Sequence, residues 1–74
     1  MRLTQLRSFL AVAQAGGFTA AAKRQHVSQP TLTSQVRLLE SQYGVELFHR
    51  IGRTVTLTET GRRLLALTGQ LTSI

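Results

Sequence analysis

No cysteine occurs in this 74-residue chain. Disulfides, thiolate chemistry and most structural zinc sites are thereby excluded, and the fold must stand on packing alone. Acids are nearly as scarce, with three Asp+Glu against nine Lys+Arg, a net charge of +6 and a pI near 11.8. That imbalance favours a polyanionic partner, nucleic acid first and an anionic membrane second. Long apolar runs are missing too. The nearest to one, Leu3 to Ala15, is broken by Thr4, Gln5, Arg7, Ser8 and Gln14, whereas a spanning helix needs about 20 apolar residues. Met1-Arg2 is followed by no uninterrupted apolar core of the signal-peptide kind, so the chain reads as cytoplasmic. His26 and His49 stand far apart with no clustered acid, which argues against a metal site. No nucleophile elbow, phosphate loop or usefully spaced carboxylate pair occurs, so catalysis is set aside.

What is present is a succession of short helical patterns sized for one domain, since a chain of this length buries only about 60% of its unfolded surface. Leu3, Leu6, Phe9, Leu10, Val12 and Ala13 form the apolar side of a first helix, with Gln5, Arg7, Ser8 and Gln14 opposite, ending at Gly16-Gly17. Thr19 is expected to cap a second helix rich in alanine, Phe18 to staple it to the core, His26 to take the left-handed turn position and Val27 to plug the core. Ser28 before Gln29-Pro30 reads as the cap of a third helix, whose Leu32, Val36, Leu39 and Tyr43 make one buried stripe before Gly44 closes it. Two helices joined by about three residues form a helix-turn-helix. Its second helix leaves Gln29, Thr33, Ser34, Arg37 and Ser41 on a free face suited to base edges and phosphates.

Beyond Gly44, Val45 to Arg50 alternates with Leu47 or Phe48 inward, and Thr54 to Leu57 alternates again, which predicts a hairpin with Arg53 near its tip. Thr58-Glu59 then opens a last helix with Leu64, Leu65, Leu67 and Leu71 on its apolar side and Gly61 as a close-packing point. No cap follows at Thr72-Ser73-Ile74, so the chain reads as the front of something longer, with those leucines prepared for a helix from another chain.

Leu6-x-x-Phe9, Gly17-Phe18-Thr19-x-Ala21-Ala22, Val27-Ser28-Gln29-Pro30, Leu39-Glu40, Gly44, Leu47-Phe48-x-Arg50 and Leu57-Thr58-x-x-Gly61 follow one another in an order that resembles the N-terminal domain of LysR-type transcriptional regulators. The resemblance covers essentially the whole chain. It implies a mainly α fold, a winged helix-turn-helix with a three-helix core, a two-stranded wing and a long C-terminal linker helix. Residues 1–58 would be the DNA-binding domain, with the helix-turn-helix motif at about 18–37 and the wing at about 47–57, and residues 58–74 the start of the linker helix. The partners it implies are double-stranded DNA and a second copy, joined through Leu64, Leu67 and Leu71, with a tetramer open to the full-length protein and no membrane. No cofactor is expected in this chain, and a small-molecule effector only in a further C-terminal domain.

The same resemblance puts base contacts at Gln29, Pro30, Thr31, Thr33, Ser34 and the wing arginine Arg53; backbone contacts are expected at Thr19, Ser28, Arg37 and Arg50. Each has a plainer reading: Gln29 as an exposed helix residue, the short hydroxyls as local backbone partners, Arg53 as a solvated loop arginine, Arg50 as the partner of Glu40. Three positions depart from the family pattern. Ser34 replaces a frequent Arg or Lys, Leu38 a frequent basic or polar residue, and Gly17 a frequent Ser, which leaves Thr19 more of the capping. Two other functions stay open. A basic amphipathic module for a membrane surface or protein partner would bind liposomes and not duplex; a winged helix that reads DNA by shape would keep its site preference in Gln29→Ala.

Overall fold

The computed structural model describes residues 2–51 and 54–72, with side chains described through Thr68. Helix α1 (Leu3–Ala15), α2 (Phe18–Gln25) and α3 (Gln29–Tyr43) lead to strands β1 (Phe48–Ile51) and β2 (Thr54–Leu57) and then to α4 (Glu59–Thr72). Arg53 and the side chain of Leu71 lie outside the described residues.

The boundaries follow from local chemistry. Gly16 closes α1 at φ 78°, His26 closes α2 at φ 56° and ψ 40°, and Gly44 closes α3 at φ 61°. All three occupy the left-handed region where an L side chain is strained, which glycine avoids and histidine tolerates better than most residues. Ser28 caps α3 as its position before Pro30 suggests, its Oγ accepting from the Thr31 N–H at 3.2 Å. Thr58 does the same for α4, accepting from the Gly61 N–H at 3.0 Å while donating to the Glu46 carbonyl at 2.6 Å. The cap of α2 differs from expectation. Gly17, in extended conformation, precedes Phe18, which is already helical, and no side chain caps the helix. Thr19 therefore lies inside the first turn, and its hydroxyl is free for another partner.

Helix α1 packs on both α2 and α3. Phe9, Val12, Ala21, Leu32, Val36 and Leu39 meet between them, and Leu47 and Phe48 are both buried from the wing side. The Phe48 ring lies 5.4 Å from that of Phe9 and 5.8 Å, edge on, from that of Phe18. Alanines at 21 and 22 let α2 approach closely; a larger residue there would hold the helices apart.

Three apolar residues assigned inward lie outward: Leu3 is 63% exposed, Val27 42% and Tyr43 54%. Leu3 and Tyr43 sit at helix ends, where a helical period still marks the right side but the core has run out, and Val27 lies in the turn between α2 and α3. Tyr43 instead flanks a shallow apolar groove with Leu39, Val45, Leu47, Thr60 and Leu64. Conversely Gln5 and Ser8, assigned outward, are buried. Gln5 accepts from the Arg2 N–H at 3.3 Å and Ser8 donates to the Thr4 carbonyl at 3.0 Å, so both satisfy their polar atoms on their own helix.

The wing is a two-stranded antiparallel ladder pairing Phe48 with Leu57 and Ile51 with Thr54. Glu40, near the end of α3, fastens it. One carboxylate oxygen accepts from the Leu47 N–H at 2.7 Å and the Phe48 N–H at 3.4 Å, and the other pairs with Arg50 at 3.1 Å. Gly61 is buried against the Leu47 carbonyl so tightly that a Cβ would collide with it. Leu64 and Leu65 pack partly on the core, whereas Leu67 is 61% exposed.

Candidate nucleic-acid interface

The turn between α2 and α3 spans His26 to Ser28 and leaves one side of the first two turns of α3 exposed. Buried Leu32, Val36 and Leu39 hold one side of that helix down. On the other, Gln29, Pro30, Thr33, Ser34 and Arg37 line a common surface hollow. Their spacing of i, i+1, i+4, i+5 and i+8 places them along one helical face. No acid lines the hollow. An exposed surface of amide, hydroxyl and guanidinium groups without carboxylates offers donors to phosphate oxygens and to base-edge acceptors.

Thr31 is not part of this group. It faces the α1 side beside Thr4, Arg7, Gln25, Val27 and Gln35, and its Oγ1 accepts from the Ser28 hydroxyl at 2.8 Å. Ser28 and Thr31 thus spend hydrogen bonds on the start of the helix, the plainer role available to short hydroxyls. Thr19 has a different partner. Its hydroxyl donates to Gln29 Oε1 at 3.1 Å, joining the first turn of α2 to the first residue of α3. The sequence points Thr19 to helix capping and DNA backbone, and its bond to Gln29, ten residues on and across the length of α2, carries no sequence signal.

Arg50 pairs with Glu40 and holds its guanidinium carbon 5.1 Å from the centre of the Phe18 ring. Planar guanidinium can stack on an aromatic face and pair with a carboxylate together. Lys23, Arg24 and Arg37 are exposed, the first two in the last turn of α2 where positive charge complements the helix dipole. Arg63 pairs with Glu59 on the open side of α4 at 3.2 Å, both side chains well exposed, an arrangement that contributes little to stability. Leu38, on α3 itself, projects into solvent. Among the described residues no helix is long and apolar enough to cross a membrane.

A three-helix core that presents the first turns of its third helix beside a two-stranded wing defines the winged helix-turn-helix class. Residues 3–62 match the model of bacterial regulatory helix-turn-helix proteins of the lysR family, and the chain belongs to that family. It is 51% identical over 65 residues to the transcriptional regulator TfdT of Cupriavidus pinatubonensis, covering 88% of this chain and 28% of TfdT. It is 52% identical over 65 residues to the Hca operon transcriptional activator HcaR of Escherichia coli, covering 88% and 22%. The chain therefore spans about a quarter of the length of these relatives. Among solved structures, that of a complex of CbnR_DBD with DNA is similar at a TM-score of 0.89 and 44% identity, covering 99% of this chain and 84% of that one. The complex of BenM_DBD with benA site 1 DNA is similar at 0.91 and 36%, covering 99% and 85%.

Proposed function

We propose that this chain is the DNA-reading module of a bacterial transcriptional regulator, with the N-terminal half of α3 in the major groove and the wing at the adjacent minor groove. The observation that carries this reading is the acid-free face of Gln29, Pro30, Thr33, Ser34 and Arg37 on a chain of net charge +6. Gln29 and Ser34 reach base edges, Pro30 packs on a thymine methyl, Arg37 meets phosphate, and Arg53 enters the minor groove. The similar domains solved with DNA support the assignment. With Ser34 in place of a long cation, direct readout leans on Gln29.

The module works as a homodimer through α4 on a dyad-symmetric site, in the cytoplasm, by binding and without catalysis. Residues 1–58 make the reading domain and residues 58–74 begin the linker helix. No cofactor belongs to this part, and an effector acts on a separate domain. Competition binding across a salt series tests the proposal. Log affinity should fall linearly with log salt, by about 0.9 for each phosphate neutralised, while one sequence stays favoured over random duplex. Equal affinity for all duplexes at every salt would overturn it.

A further inference from the structure

We infer that Thr19 is a positioning residue for Gln29, holding that side chain in the place from which it reads a base; the inference rests on the DNA-reading function proposed above. The geometry is one bond between two elements, Thr19 Oγ1 to Gln29 Oε1 at 3.1 Å. Both residues are exposed, α2 begins without any side-chain cap, and the Thr19 hydroxyl is therefore not spent on starting its own helix. Gln29, in turn, opens the face it shares with Pro30, Thr33, Ser34 and Arg37.

A glutamine side chain has three rotatable bonds and loses close to the maximum rotamer entropy of any side chain when it is fixed. Anchored at its carbonyl oxygen from a neighbouring helix, it enters the interface already restrained, and less of that entropy is lost on binding. The amide N–H donors remain available for an acceptor on a base edge, and Oε1 keeps a second lone pair. In free protein the exposed bond competes with water. Once DNA excludes that water, the bond strengthens, so its effect is felt in the complex more than in the stability of the fold. Thr19 thereby shapes sequence preference without itself touching a base.

The test is a competition assay of the 74-residue chain against duplexes varied at each base pair of its preferred site, with Thr19→Val, Thr19→Ser, Gln29→Ala and the double variant Thr19→Val/Gln29→Ala. Valine keeps the branched shape and removes the hydroxyl, and serine keeps the hydroxyl. Thr19→Val should reduce preference about two- to tenfold, the range of one hydrogen bond, and only at the base pair where Gln29→Ala relaxes it. Thr19→Ser should retain the preference, and Thr19→Val should have no further effect once Gln29 is alanine. A uniform loss of affinity with unchanged preference would place Thr19 on the DNA backbone and overturn the inference. Loss in Thr19→Ser equal to that in Thr19→Val, or a persistent effect in the Gln29→Ala background, would overturn it as well. A wild-type chain with no preference among duplexes would overturn the proposed function and this inference together.

Discussion

Glu40 carries more of this fold than any other charged side chain described, because one carboxylate serves two backbone N–H groups and a guanidinium. The pairing with Arg50 was open to sequence reading, since acids are scarce and each invites a search for its partner. The bonds to Leu47 and Phe48 were not, because they form across a loop whose path no periodicity encodes. Glu40→Ala leaves those two N–H groups and Arg50 without their acceptor, and should lower unfolding free energy by about 2–3 kcal/mol in urea titration. A loss under about 0.5 kcal/mol would mean that water replaces the carboxylate at no cost. At the interface, legibility was similarly divided. Gln29, Thr33, Ser34 and Arg37 were recoverable because helical spacing alone brings them to one face, whereas Pro30 came from the family resemblance and Ser41, on the same face by spacing, does not line the hollow; Thr31, one position from Pro30, belongs to the side facing α1.

Element boundaries were the most legible feature, for the reason that caps are local. Gly16, His26, Gly44 and Ser28 each act within a few residues of themselves, so short sequence windows contain the whole cause, and Thr58 caps α4 as locally while also reaching back to Glu46. Ser28→Ala should destabilise the chain by about 1 kcal/mol in thermal or urea unfolding, with the Thr31 amide losing protection from hydrogen exchange; an unchanged melting curve would mean that Thr31 or water completes the turn unaided. The errors have other causes. Leu3 and Tyr43 lie on the predicted side of their helices, but how far the core extends along each helix is a tertiary property, and Val27 stands in the turn between α2 and α3, where no helical period applies. Thr19 failed as a cap because extended Gly17 admits Phe18 directly into the helix, shifting the start of α2 by two residues.

At the scale of the molecule, the wing and α4 are tied to the helical core through Leu47: its N–H binds Glu40, and its carbonyl accepts from the Thr58 N–H at 3.0 Å and lies against Gly61. The end of α3, the wing and the start of α4 thus meet at one residue. The apolar side of α4 is not fully used within one chain, since Leu64 and Leu65 pack partly inward while Leu67 stays open. Leu67→Glu should shift sedimentation from dimer toward monomer, raising the dimer dissociation constant about tenfold or more, with the helical circular dichroism of the monomer retained. An unchanged sedimentation mass would remove Leu67 from the contact.

The central claim is that the N-terminal face of α3 reads sequence, and selection of bound duplexes from a random pool, run in parallel for wild type and Gln29→Ala, tests it most directly. The wild-type chain should enrich two half-sites related by a dyad, about one helical turn or a multiple apart, and Gln29→Ala should lose information at one base pair in each half-site, equivalent to about 1–3 kcal/mol of discrimination. A pool that enriches no motif, or motifs identical for the two proteins, would contradict the account.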